Sequence, residues 1–283
     1  MDYISYVLTL KGSKRIQHLV HQSCALGLPL KLCLGIKGKD FTVDEFAKFA
    51  PTKQAEFLLG RKIGRNELAC VLGHLGVYRE FLDTTSASWC LVLEDDAEID
   101  SRLMKFLEYS SEFPRNSIIH LAPQYNLPNF VLHTLAFEVG NRVTKINKVL
   151  DFIPRTHGYL IDRTAASTAI EFSKKDNYYF TADWPLNWIG KVGFWVTSET
   201  LVNTTETDSG SDIAQERVLL EGEASKREPF MRMLSQIRFL NWLFNGLGIT
   251  ALYGKFLGIP CTVTYRRLFL TPLKRKWYQF QRR

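Results

Sequence analysis

The sequence predicts an α/β fold around a sheet with parallel strands, and three patterns predict it. The chain opens as strand, helix, strand between Tyr3 and Ile36; a clear helical stretch runs from Asn66 to about Phe81; and an apolar run, Trp89 to Leu93, leads without a break into Glu94-Asp95-Asp96. Alternating strands and helices favour parallel strands joined by crossover helices, with ligands at the carboxyl ends of the strands. Neither a GxGxxG fingerprint nor a P-loop is present, so the two familiar phosphate-cradling sequences are absent.

Tyr3 to Leu10 is rich in β-branched and aromatic residues and reads as the first strand, broken at Lys11-Gly12-Ser13. A helix is expected to follow as far as Leu26, stopped by Gly27. Leu30 to Ile36 reads as the second strand, closed by Gly35, Gly38 and Asp40. Asn66 is the candidate N-cap of the next helix, in which Leu68, Val71, Leu72, Leu75 and Leu82 recur at helical spacing. After the acidic triplet, Ser101 to Phe113 is predicted helical and Ser117 to Ala122 a short strand. Pro123 to Pro154 is turn-rich, with β pieces at Phe130 to Phe137 and Val143 to Val149. Gly158 to Ile161 reads as a strand, followed by a helix from Arg163 to Ser173. A short aromatic-rich segment, Asp183 to Ile189, precedes another strand, Phe194 to Thr197.

Three adjacent negative charges at a strand end repel one another and call for a counter-charge, most economically a divalent cation. Oxygen-only ligation favours a hard ion such as Mg2+ or Mn2+, which keeps positions open for substrate phosphates. A second reading is a solvated acidic turn opening the following helix, where Asp and Glu favour the N-terminus. Glu67, Cys70 and His74 fall three and four apart, hence on one face of the preceding helix. That spacing is not HExxH, so no zinc site is expected, and Cys70 reads as a small core residue. His18 and His21 read as surface groups.

The 283 residues, 46% of them apolar, allow one large α/β domain with an extension or two small domains, and exclude a disordered chain. The formal charge of +7 hides an asymmetry: residues 226–283 carry 12 Lys/Arg against one Asp/Glu, leaving 24 basic and 28 acidic side chains on the rest. The five cysteines (Cys24, Cys33, Cys70, Cys90, Cys261) are scattered without a CxxC pair, which fits a reducing cytosolic compartment better than a disulfide framework. The N-terminus lacks the order of a signal peptide.

From Ser225 the chain changes character. Leu240, Leu243, Phe244 and Leu247 follow helical spacing, flanked by Arg232, Arg238, Lys255, Arg266, Arg267 and the Lys274-Arg275-Lys276 run, with Trp242 and Trp277. A basic, aromatic amphipathic helix describes a surface that lies on an anionic membrane. The uncharged run Phe239 to Gly254, 16 residues with two Asn, is too short for a convincing span. A helix packed on the body and a nucleic-acid patch are the other readings of this tail.

The segment NELACVLGH followed by LVLEDD resembles glycosyltransferase family 25, the bacterial lipopolysaccharide and lipooligosaccharide sugar transferases. Glu67, Cys70 and His74 match the family's Gly-Glu-x-Gly-Cys-x-x-Ser-His; Asn66, Ala69 and Gly73 depart from it, where the family usually has Gly, Gly and Ser. YVLTLKGSKR looks like the family's opening strand. THGYLIDRTAA is similar to its Gly-x-x-Gly-Tyr-x-Ile-Ser-x-x-Ala segment, with Asp162 for Ser. TADWPL resembles its Pro-Val-Asp segment, and GSDIAQER its Gly-Ser-x-Ile-x-x-x-Arg element, giving Ser211 and Arg217. The resemblance spans residues 1 to about 220. It implies a GT-A type, Rossmann-like mixed sheet flanked by helices, a divalent metal, a nucleotide sugar (usually UDP-galactose) and inverting transfer. The expected organisation is a catalytic domain over residues 1–224 and a basic, aromatic-rich helical extension over 225–283 that associates with membrane.

The resemblance and the chemistry together assign expected roles. Asp96, with Glu94, is the metal candidate (Mn2+ or Mg2+), and Asp183 the general base, with helix N-capping as its structural alternative and Asp162, Glu199 and Asp208 as weaker choices. Leu10, Lys11 and Arg15 after the first strand, Glu67 and His74 on the helix, and Glu94 and Asp95 are the nucleotide-sugar candidates; His157 is a further residue within reach of substrate. The expected partners are UDP-galactose, a lipid-linked oligosaccharide acceptor and an anionic membrane at the cytoplasmic face, with no nucleic acid. Glucosyl or N-acetylhexosaminyl transfer on the same scaffold, or a catalytically silent membrane- or glycan-binding protein, are the rival readings.

Overall fold

The alternation that predicts strands and helices is realised in a computed structural model, which describes residues 2–49, 63–121, 135–137, 143–145, 156–175, 192–197, 199–204, 213, 215–216 and 218–220. Strand β1 (Tyr3–Leu10) leads through helix α1 (Ile16–Leu26) to β2 (Lys31–Gly35), which pairs parallel with it. Gly27 ends α1 in the left-handed conformation, φ 66°, as the glycine stop signal predicts. The next helix, α2 (Val43–Phe49), is not among the predicted elements and begins with a Thr42–Glu45 capping box. The long helix α3 (Arg65–Thr84) then returns the chain to β3 (Trp89–Glu94), parallel to β1 on the side opposite β2.

Beyond the triplet the chain does not enter a helix directly. It turns into a three-residue strand, β4 (Ala97–Ile99), which pairs with β10 (Val202–Thr204), so the acidic-helix-start reading fails. Helix α4 (Arg102–Leu107) and a 3-10 turn (Ser110–Glu112) replace the single longer helix expected there. The remaining elements are β5 (Ser117–His120), β6 (Leu135–Phe137), β7 (Val143–Lys145), β8 (Gly158–Asp162), α5 (Arg163–Lys175) and β9 (Gly193–Thr197).

Among the described residues the main sheet has eight strands in the order β2-β1-β3-β8-β5-β9-β7-β6. It is mixed: β2, β1 and β3 are parallel, β8 runs against both β3 and β5, and β9 is parallel to β5. Both faces are covered. On β3, Cys90 and Val92 join the core beneath α3 and α5, while Trp89, Leu91 and Leu93 join the core beneath α1 and α4. That two-sided burial is why the strand reads as an unbroken apolar run rather than an alternating one. Among the described residues no helix is long and apolar enough to cross a membrane. Among the described residues no disulfide joins Cys24, Cys33, Cys70 and Cys90. Residues 221–283, and with them the predicted amphipathic helix, lie outside the described residues.

Candidate active site

Strand order reverses at β1. The chain leaves it outward to β2 and comes back to its other side at β3, which makes the carboxyl ends of β1 and β3 a topological switch point. Leu8 of β1 is in register with Glu94 of β3, and Leu93 with Gly158 of β8. Because β8 is antiparallel, the residues that precede it, Thr156 and His157, arrive at the same edge as the acidic triplet. His120, at the end of β5, is in register with Tyr159 and faces His157, ring centroids 6.4 Å apart.

The three acids have different surroundings. Asp95 is buried and points back into the body, accepting a hydrogen bond from Thr9 Oγ1 (2.9 Å) and pairing with Arg15 (3.1 Å). Asp96 lies 3.9 Å from the same guanidinium. Glu94 Oε1 faces His74 Nε2 at 3.3 Å and accepts a short hydrogen bond from the Thr156 hydroxyl. Burial alone would raise the Glu94 carboxyl, but the hydrogen bond and charge of His74, the Thr156 hydroxyl and nearby His157 outweigh it and hold it below the ordinary carboxylate range. Protein cations and donors therefore supply part of the counter-charge that the sequence assigned to a metal ion alone.

His74 comes from α3, whose N-terminus is fixed from far along the chain. Asn66 is not the N-cap; Gly64 is, and it brings no side-chain hydrogen bond of its own. The acceptor is Glu216, whose two carboxylate oxygens take the backbone N–H groups of Arg65 (2.8 Å) and Asn66 (3.0 Å). A side chain at residue 64 would collide with that carboxylate, a Cβ there lying 2.1 Å from Oε2. Gly73, where the resemblance expects Ser, sits over Leu8 of β1: an added Cβ would meet its methyl carbons at 3.1 Å, so the helix approaches the strand more closely for lacking one.

Of the predicted residues, the structure brings together Arg15, His74, Glu94, Asp95 and Asp96. Leu10 ends β1 beside them, Lys11 is exposed just beyond, and Glu67 is buried one turn before Cys70 on α3. Asp162 lies at the opposite edge of the sheet, opposite Trp89, where it caps α5 through Ala165 N–H (2.7 Å) and accepts from Asn116 and Ser117. Glu199 pairs with Arg102. Both side chains are thus explained by structure. Asp183, Asp208, Ser211 and Arg217 lie outside the described residues.

Thr9, Thr156, Tyr78, Tyr159 and Glu216 were not found from the sequence. Thr156 and Tyr159 flank His157 and Gly158 inside THGYLID, and Tyr78 stands one helical turn beyond His74, so position relative to the motifs was the available signal. Cys70 is partly buried rather than a core residue. Its thiol, His74 and Glu94 offer ligand atoms within 4.8 Å of one another, the third coming from β3 where no helical spacing could show it.

A mixed α/β sheet with carboxylates, an arginine and a histidine at its switch point defines a class: α/β proteins of the kind whose ligands bind outside the carboxyl ends of the strands. The particular family follows from residues 3–184, which match glycosyltransferase family 25 (LPS biosynthesis protein). The chain belongs to that family and is a glycosyltransferase. Among solved structures it is similar to a glycosyltransferase involved in the glycosylation of the major capsid of PBCV-1, at 11% identity and a TM-score of 0.34, over 77% of this chain and 99% of that chain. No curated protein matches it.

Proposed function

We propose that this chain is an inverting glycosyltransferase that moves a hexose, galactose from UDP-galactose, onto a sugar of a lipid-linked lipooligosaccharide acceptor. The observation that carries the reading is the acidic triplet at the β1/β3 switch point, divided into one acid turned inward and two at the strand end. The oxygen donors of Asp96 and Glu94 fit a hard divalent ion, Mn2+ or Mg2+, which would supply Lewis-acid neutralisation of the diphosphate. Arg15, whose guanidinium pairs with Asp95 and lies 3.9 Å from Asp96, would meet the same phosphates. His74 and Thr156 hold Glu94 ionised and oriented toward the donor.

Inversion is a single displacement. The acceptor hydroxyl oxygen forms a bond to the anomeric carbon as the bond from that carbon to the diphosphate oxygen breaks; UDP leaves with the electron pair, and the hydroxyl proton passes to a carboxylate base on the opposite face of the sugar. Asp183 is the residue proposed for that base, with Trp184 and Trp188 beside it in sequence to stack on a sugar ring. UDP release screened over several UDP-sugars, with and without Mn2+, tests the reading. UDP-galactose should turn over fastest and only with the ion. Asp96→Ala should lower kcat/KM by about a hundredfold or more, the scale of losing the principal charge stabiliser. Metal-independent turnover would sink the role given to Asp96, and preference for another sugar would move the donor assignment.

A further inference from the structure

Cys70 and His74 stand one helical turn apart on α3, and that spacing by itself supplies two ligands, too few to hold a metal ion. Folding adds a third. Glu94 arrives at the end of β3, and the Cys70 thiol, a His74 ring nitrogen and a Glu94 oxygen lie within 4.8 Å of one another. Thiolate, imidazole and carboxylate are the three ligand types that zinc takes, and three protein ligands leave its fourth tetrahedral position open.

The distances suit that ion. Nitrogen and oxygen ligands held about 2.0–2.1 Å from zinc at tetrahedral angles stand about 3.3 Å apart. His74 Nε2 and Glu94 Oε1 are 3.3 Å apart, longer than the roughly 2.7–2.9 Å of a charge-assisted hydrogen bond. A sulfur ligand belongs about 3.6 Å from each of them, so the thiol has to close by about 1.2 Å at most, within the swing of one side-chain torsion.

The outer partners of such a site are in place as well. A metal-bound histidine engages a neighbouring polar group through its other ring nitrogen, and His74 Nδ1 lies 2.8 Å from Tyr159 Oη, itself 2.7 Å from Tyr78 Oη. The Thr156 hydroxyl donates to Glu94 and orients the carboxylate. His74 and both tyrosines are buried, whereas 28% of the Glu94 side chain is exposed, which leaves an ion a way in from the strand ends.

We propose that Cys70, His74 and Glu94 form a thiophilic metal site, for Zn2+, that competes with the nucleotide-sugar donor and its hard ion for the Glu94 carboxylate. A nitrogen and a sulfur ligand rank Zn2+ well above Mn2+, so the hard ion stays with the oxygens of Asp96 and does not fill this site. The thiol gives its proton to solvent as it binds. The inhibitory consequence rests on the donor site proposed above: with Zn2+ bound, Glu94 is withdrawn from the donor and transfer stops until the ion is removed.

Co2+ reports on the site, because a thiolate-to-cobalt bond absorbs in the near ultraviolet. One equivalent added to the metal-free, full-length protein should produce that band, and Zn2+ should abolish it where Mg2+ does not. Cys70→Ser should lose the band, and Cys24→Ser, at an exposed cysteine, should keep it. Tyr159→Phe should weaken Zn2+ binding about tenfold in competition with a chromophoric chelator, the scale for an outer partner. Absence of the band in wild type, or its survival in Cys70→Ser, would overturn the site; unchanged Zn2+ affinity in Tyr159→Phe would strike Tyr159 from it. In transfer assays with Mn2+, Zn2+ at about four times its Kd should slow wild type about fivefold by occupancy alone and leave Cys70→Ser unaffected. Zn2+ that binds yet leaves wild-type transfer unchanged would overturn the competition for Glu94. If no UDP-sugar is turned over, the donor reading fails while the Co2+ spectra still decide the site.

Discussion

Asp95 and Glu94 are adjacent in sequence yet look in different directions, one toward Thr9 and Arg15, the other toward His74 and Thr156. That division relieves the repulsion which the bare triplet would suffer, and it has a consequence for acid stability. The Glu94 carboxyl titrates below its ordinary value in the folded chain, so the native state binds fewer protons here than the unfolded chain does. The stabilisation is present above the unfolded value of 4.5 and is lost as pH falls through the lowered folded value. Melting temperature measured from pH 7 down to about 3 should therefore fall less steeply for Glu94→Gln than for wild type, since the variant has no carboxyl to protonate. Parallel curves would show that His74 and Thr156 do not hold the acid as described.

At the scale of elements, α3 is set by a carboxylate some 150 residues downstream, Glu216, in place of the expected local Asn66 cap. Its two oxygens satisfy N–H groups that a helix start leaves without partners, and its charge lies at the positive end of the helix dipole. Glu216→Ala should cost about 1–2 kcal/mol, read as a lower urea midpoint at unchanged slope, and Glu216→Gln less, because the amide keeps one acceptor. No loss in either variant would mean that solvent caps α3 equally well. β1, α1, β3 and α5 were legible because their apolar periodicity and glycine stops are local. So was the acidic triplet, which stands alone at a strand end. The cap from Glu216, the three-residue strand β4 that exists only by pairing with β10, and the partners Thr9, Thr156 and Tyr159 were not, because each depends on a chain segment brought close by tertiary pairing.

Across the whole molecule, charge is distributed by sequence position: residues 226–283 bear 12 Lys/Arg and one Asp/Glu, whereas the rest is mildly acidic. An acceptor built on lipid can be reached only at a membrane surface, and each basic residue near an anionic leaflet contributes about 1 kcal/mol of attraction within a Debye length. Tryptophans and phenylalanines interleaved with those charges add apolar insertion, so the tail is proposed to hold the enzyme where its acceptor sits while the site at β1/β3 works independently of it. A chain ending at residue 224 keeps Glu216 and hence the anchor of α3. It should no longer sediment with vesicles rich in anionic lipid, yet transfer to a soluble oligosaccharide at a rate within about twofold of the full chain, as expected when an interfacial anchor is lost without touching the site. Full-length binding should weaken as salt is raised, because exposed charges are screened. Sedimentation of the shortened chain would place the membrane contact on the catalytic body. Loss of its activity on the soluble acceptor would instead assign the tail to the packed core.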